Sequence, residues 1–265
     1  MQLYVQSVGL MGPGLNGWVS TQPILTGSAP YRFGDTPRVV PSILPATERR
    51  RSSDAVRLAI AAAEEALRGS EITGNETATV FASSDGDGYI THQICEALTT
   101  REKEISPTSF HNSVYNAPAG YWSIAIGSRL GSTSLCAFDG SFVAGLLEAA
   151  AQTCVDHRPV MLIASDLPFP FPLYALRPIE HAFSVAILMT PDAGRGALMQ
   201  WQIQIGAREP ATSDPAGLPA GLYRNPAARC LPLLRTLACR STETVVLDYL
   251  DNNSVTVSCQ PVVPS

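Results

Sequence analysis

The stretch from Ser106 to Asp166 constrains this chain more than any other. At its centre, Thr133 to Ala137 reads as a short strand that feeds a sharp turn. A helix is predicted from about Asp139 to Asp156. Its apolar positions, Phe142, Val143, Leu146, Leu147, Ala150, Ala151 and Cys154, recur at i, i+3, i+4 and i+7 and make one buried stripe. Asp139 can cap the free N–H groups of the first turn, and Gly140 leaves room for another chain to come close. An apolar strand, Val160 to Ala164, follows directly. This order belongs to the α/β folds.

A strand-turn-helix is where many α/β enzymes hold a nucleophile, because a helix N-terminus stabilises negative charge and lowers a thiol pKa. Cys136 precedes the helix by about three residues and falls in the predicted strand. The residue at the turn is Phe138, whose ring has no nucleophilic atom. An acyltransferase or hydrolase built on Cys136 with His111 stays open as an alternative, and it requires Cys136 to reach a pocket from a strand.

Elsewhere the elements are plainer. Residues 2 to 9 read as a first strand. The glycine-rich Gly9 to Gly17 is a weak dinucleotide fingerprint, since Trp18 to Pro23 starts a helix poorly, and a loop is expected. Residues 20 to 47 read as an ordered loop. A helix is expected from about Ser53 to Arg68 with Val56, Ile60, Ala63 and Leu67 inward, preceded by Arg49-Arg50-Arg51. That triplet is either a solvated or salt-bridged helix start or a site for a carrier's phosphate. Thr77 to Ser83 is a strand, and Asp85-Gly-Asp-Gly88 is a turn that lacks the further ligands of a calcium loop. Helices are expected from Tyr89 to Thr100 and from Val114 to Ile126. Phe183 to Met189 is a buried strand, with Gln200 to Ile205 as its hairpin partner. Residues 207 to 222 form a crossing loop. A helix from Pro226 to Ala238 and a β-hairpin, Glu243 to Leu250 and Ser254 to Cys259, close the chain.

Only 15% of the 265 residues are charged, and the net charge is −5. A surface so poorly charged is expected to be covered in part by a partner, and the negative sign argues against nucleic acid. No signal peptide is visible, and no run reaches the roughly 18 apolar residues of a membrane span. The six cysteines form no CxxC pair, which fits reduced thiols in the cytoplasm.

The run Ala137-Phe-Asp-Gly-Ser-Phe-Val-Ala144 resembles the nucleophile motif of the β-ketoacyl synthases, Ala-Cys-Ser-Ser-Ser-Leu-Val-Ala, with Phe138 on the cysteine. Upstream, Ser106-Pro-Thr-x-Phe-His-Asn-Ser-Val-x-Asn-Ala-x-Ala-Gly-Tyr-Trp-Ser-Ile resembles the half-length synthase-like chain-length factors of aryl polyene clusters. The resemblance covers roughly residues 1 to 190. It implies a thiolase-like α/β fold: one N-terminal αβαβα half of a ketosynthase, a five-stranded mixed sheet between helices, over residues 1–190. Residues 191–265 would be a small C-terminal αββ extension.

The resemblance also implies a function. Such synthases bring two histidines and a lysine from a second half-domain. Here the histidines are His92, His111, His157 and His181, the only lysine is Lys103, and the residues after 190 are too few for a second half. The expectation is therefore a noncatalytic subunit that pairs with a full-length β-ketoacyl synthase and meets acyl carrier protein through that complex. It would use no cofactor and no metal. Phe110, His111, Asn112, Tyr115, Asn116, Tyr121, Trp122 and Phe138 are the residues expected to line the acyl tunnel and the interface. A half-fold is also expected to leave one apolar layer uncovered, inviting that partner.

Overall fold

The computed structural model describes residues 1–215 and 217–262; Ala216 and residues 263–265, within the expected extension, lie outside the described residues. The strands are β1 (Gln2–Gly12), β2 (Leu15–Asn16), β3 (Ala78–Ala82), β4 (Ser132–Leu135), β5 (Val160–Asp166), β6 (Phe183–Thr190), β7 (Met199–Ala207), β8 (Glu243–Leu250) and β9 (Asn253–Pro261). The helices are α1 (Trp18–Leu25), α2 (Ala46–Arg51), α3 (Asp54–Arg68), α4 (Gly88–Thr99), α5 (Pro107–Asn112), α6 (Ala117–Ile126), α7 (Ser141–Val155), α8 (Leu173–Leu176) and α9 (Leu231–Cys239).

Among the described residues the strands form one mixed sheet, ordered β4-β3-β5-β6-β1-β7-β9-β8, with β2 folded onto the end of β1. The expected five strands are β4 to β1. β3 is parallel to both β4 and β5, and every other pairing is antiparallel. The period-two alternation of the central strands divides the core. Val160, Leu162 and Ala164 of β5 join Val185 and Ile187 of β6 beneath α7. Met161, Ile163, Ala186 and Leu188 face α3 and α6 on the opposite side. α3 lies flat on the sheet because its inner residues are small, and a Cβ on Gly9 of β1 would sit 2.1 Å from the Ala62 carbonyl.

Four expectations need correcting. β6 and β7 are not a hairpin: both pair with β1, which lies between them and is nearly two hundred residues away in sequence. The glycine-rich turn does lead into a helix, α1, but a carboxylate already occupies its N-terminus. Glu65 Oε1 accepts the Trp18 N–H (2.6 Å) and Oε2 accepts the Leu10 N–H (2.9 Å). The expected helix from Val114 is broken, and α5 and α6 are separated by residues 113–116.

The fourth correction concerns the uncovered layer. α7 is enclosed by its own chain. The sheet lies under one side, and the 3-10 turn Pro226–Cys230 and β8 pack over the other. Phe142, Val143 and Leu146 are fully buried. Gly140 admits not a second chain but β8 of the same one, whose Tyr249 carbonyl would lie 3.3 Å from an added Cβ. No helix among the described residues is long and apolar enough to cross a membrane.

Candidate functional site

The carboxyl ends of β3, β4 and β5 come together, and helices leave them toward opposite faces: the β3 connection reaches α6 and the β4 connection α7. Crevices at such a point are where open α/β sheets hold ligands. Two features meet here, an elbow on the α7 side and a narrow cleft on the α3 side.

The elbow runs from β4 through Cys136 and Ala137 into a 3-10 turn, Phe138–Gly140. Phe138 has φ +51° and is 63% exposed. A left-handed conformation costs a residue with a Cβ roughly 1–2 kcal/mol, so the flanking strand and helix impose it. Ser141 fixes the turn: its Oγ accepts the Ala137 N–H (3.0 Å) and donates to the Phe138 carbonyl (2.6 Å). Asp139 does not cap α7. Its carboxylate instead accepts from Arg177 (2.6 Å) and lies 3.2 Å from Arg229. The Arg177 guanidinium carbon also lies 3.9 Å from the centre of the Phe138 ring.

Behind the elbow lies a polar cluster. Asp166, at the end of β5, is 1% exposed. Its Oδ1 accepts the Ser84 N–H (2.6 Å), the Ser84 hydroxyl (2.7 Å) and the Ser83 hydroxyl (3.1 Å). Asp166 Oδ2 and Asp85 Oδ1 are buried and have no hydrogen-bond partner among the described residues. Burial raises the pKa of Asp166 to about 6, against the pull of the serine donors and Arg177. Burial and the Asp166 charge raise Asp85 to about 7. Cys136 lies just past β4 and is exposed, and its thiol donates to the Ser84 carbonyl (3.2 Å). His111 packs edge-on against Tyr121, 5.9 Å between ring centres. No hydrogen bond among the described residues joins Cys136 to His111.

Tyr115 separates elbow from cleft. Its Oη accepts the Ser83 N–H (3.0 Å) and faces the Ser83 and Leu135 carbonyls, tying β3 to β4. The cleft beside it is lined by Val56, Ala59, Phe81, Asn112, Val114 and Ile163. Asn112 is buried and donates to the Arg51 (2.7 Å) and Thr108 (3.0 Å) carbonyls. Phe110, His111 and Asn116 are exposed, whereas Tyr121 and Trp122 are core residues packed with α3. The structure thus brings Tyr115, Asn112 and Phe138 to the strand ends, and it buries Tyr121 and Trp122 within the chain. Sequence reasoning missed Asp85, Asp166 and Arg177. The one available signal was an Asp closing an otherwise apolar strand. Asp87, read as part of a turn, caps α4 through the Ile90 N–H (3.0 Å). No three His, Cys, Asp or Glu side chains among the described residues converge as a metal set would.

Residues 27–245 match the model of the β-ketoacyl synthase N-terminal domain. The chain belongs to that family. No curated protein matches the sequence. Among solved structures it is similar to a chain from the complex of a ketosynthase with its chain length factor from Xenorhabdus doucetiae. The identity is 23%, covering 97% of this chain and 99% of that one, with a TM-score of 0.73. The ishigamide ketosynthase/chain length factor gives 10% identity, 99% and 100% coverage and a TM-score of 0.74. A type II polyketide acyl-carrier protein in complex with its ketosynthase gives 12%, 98% and 99%, and 0.75. At these identities the likeness is one of fold, the ketosynthase half-domain. In this family member the residue at the elbow is a phenylalanine held at positive φ.

Proposed function

We propose that this chain is the noncatalytic chain-length-factor subunit of a cytoplasmic β-ketoacyl synthase pair. The observation that carries the reading is Phe138: a non-glycine residue held at φ +51° on a strand-to-helix elbow, with nothing to attack a thioester. Two of the similar structures contain a ketosynthase together with a chain length factor, which supports the same division of labour here. On this reading residues 1–190 are the synthase half. Residues 191–265 are the extension that closes the α7 face, and a full-length synthase supplies cysteine and histidines.

The partner would dock at the β4 edge. Among the described residues β4 pairs only with β3, so it is an edge strand whose outer side could continue the sheet. Around this end of the chain Phe110, Val114 and Ile124 are exposed apolar side chains (63%, 49% and 59%). Phe110, His111, Asn116 and Tyr115 are then the residues that meet the growing acyl chain or the partner, while Asn112, Tyr121 and Trp122 hold α5 and α6 in place behind them. Carrier protein reaches the site through the complex.

The test is co-expression with a full-length synthase, native mass of the complex, and product length by mass spectrometry. A filled wall costs an incoming methylene roughly 1–3 kcal/mol, about a ten- to hundredfold bias against the next elongation. Phe110→Ala and Tyr115→Ala should therefore lengthen the product while the first condensations keep their rate. Absence of a complex would overturn the reading. Unchanged length from an intact complex would reduce the chain to a scaffold. The chain alone should form no product, and a stable thioester on Cys136 would refute its noncatalytic status.

A further inference from the structure

Arg177 sits on a segment, residues 167–182, that crosses the mouth of the elbow. The ends of this segment are fastened. Asn225 Nδ2 donates to the Asp166 (3.0 Å) and His181 (2.9 Å) carbonyls, and Thr36 Oγ1 donates to the Ala182 carbonyl (2.7 Å). Between these ends Phe171, Leu173, Tyr174 and Leu176 are exposed, up to 86% for Leu176. The middle is held by Arg177, whose side chain is only 17% exposed. It bonds to Asp139, stacks on Phe138 at 3.9 Å and lies 5.7 Å from the Phe169 ring, which itself packs against Gly88. The same guanidinium favours the ionised forms of both Asp85 and Asp166.

We propose that Arg177 is the latch of a strap, residues 167–182, that closes over the elbow, and that the latch tightens when the Asp85–Asp166 cluster loses a proton. Among the described residues each aspartate leaves one buried carboxyl oxygen without a partner, and the strap reaches them through Phe169: its ring, 5.7 Å from the Arg177 guanidinium, and Asp85 Oδ2 both flank Gly88, 3.1 and 2.6 Å from where a Cβ would sit. The sign follows from reciprocity. Closing the strap brings Arg177 to the pair and favours the anion, so loss of the proton must favour closing by the same factor.

The other charged or titratable groups near the pair keep this sign. Asp87, on the same loop, opposes ionisation of Asp85, and the Gly88 amide assists it. Tyr115 stays protonated, its pKa raised by burial. Cys136 reaches the cluster only through the Ser84 carbonyl, and Arg229 shares Asp139 with Arg177. With Asp85 titrating near 7, the change falls across neutral pH. The latch rests on contacts within this chain and is independent of any partner.

Limited chymotrypsin cleavage of the full chain tests it, because Leu173, Tyr174 and Leu176 are exposed chymotrypsin sites with no proline after them. Rates are taken between pH 6 and 8.5 and normalised to a small peptide substrate at each pH. In the wild type, normalised cleavage within 167–176 should fall about three- to tenfold as pH rises, the span of up to one unit of coupling. Asp85→Asn should abolish the pH dependence and hold cleavage at the faster, acidic level. Arg177→Lys keeps the charge but not the planar stack, and should cut faster than wild type at every pH. Circular dichroism at each pH verifies that the variants are folded. A wild-type rate that is flat or rises with pH, an Asp85→Asn profile that follows the wild type, or an Arg177→Lys variant as resistant as wild type would each overturn the latch.

Discussion

The two faces of the β3-β5-β6-β1 half of the sheet are closed by different parts of the chain. α3 and α6 close one face, and both come early in the sequence, with alanines (Ala59, Ala62, Ala63, Ala66) letting α3 sit close to the strands. α7 lies on the other, and its outer side is covered by residues 226–230 and β8, some eighty to a hundred residues further on. The first closure sets the small side chains of α3 against β1, β5 and β6, with Tyr121 and Trp122 of α6 beside them. The second is long-range and built from large side chains, Phe142, Leu146, Leu231, Leu234 and Leu247. A half-domain needs a second layer over its central helix, and here the chain returns to provide it. Besides the polar face of β7-β9-β8, what stays uncovered is the β4 edge and a few exposed side chains rather than an apolar core layer.

The largest expected effect breaks the long-range closure. Phe142 is fully buried between the sheet and the C-terminal cover. Phe142→Ala should cost about 3–5 kcal/mol, read as a drop in urea midpoint with unchanged slope. On the α3 face no buried side chain of that size can be removed from the helix, and Ile60→Val should cost about 0.5–1.5 kcal/mol. Equal losses at both positions would mean that the C-terminal segment contributes little to holding α7.

Each closure had its own legibility. Local patterns gave α3, α7, β3, β5 and the C-terminal hairpin, because each is fixed by its own period or turn. The placement of β7 beside β1 was hidden, since strand pairing between Gln2–Val5 and Met199–Gln202 leaves no trace in either segment. α1 was missed for a related reason: the group satisfying its first N–H is Glu65, 47 residues away. The break between α5 and α6 had a readable signal in Asn116 and Pro118, which the apolar run obscured. At the site, the phenylalanine on the strand-to-helix turn was legible from one motif. The buried carboxyls and Arg177 were not, because an Asp at a strand end and an Arg in a proline-rich loop have no local signature of burial or stacking.

An effect of intermediate size sharpens the contrast through pH. Asp85 and Asp166 hold their protons more tightly folded than unfolded, about 7 and about 6 against an ordinary 3.8. Between those values the native state carries more protons, so their contribution is full below about pH 4 and is lost as pH rises through 6 and 7. The melting temperature should fall by about 2–6 °C from pH 5 to pH 8, with Asp85→Asn removing much of the decline. This global trend runs opposite to the tightening of the strap. A protein whose melting temperature and strap protection rise together with pH would not fit the buried pair.

The smallest effect concerns the elbow itself, where local backbone preference is overruled by both closures at once. β4 and α7 are each fixed in the sheet and core, so Phe138 takes φ +51° although it has a Cβ. Two substitutions separate strain from stacking. Phe138→Ala removes the contact with Arg177, worth about 0.5–1 kcal/mol at an exposed site, and keeps the Cβ. Phe138→Gly removes the same contact and also relieves roughly 1–2 kcal/mol of left-handed strain, against about 0.5–1 kcal/mol for the greater freedom of glycine in the unfolded chain. The glycine variant should therefore be more stable than the alanine variant by about 0.5–1 kcal/mol, the reverse of their order in ordinary helices and strands. Equilibrium urea unfolding of the two variants, side by side, reads this difference directly. If alanine is the more stable, the turn relaxes when the ring is removed, and the elbow is held by Phe138 and Arg177 rather than by the strand and helix on either side of it.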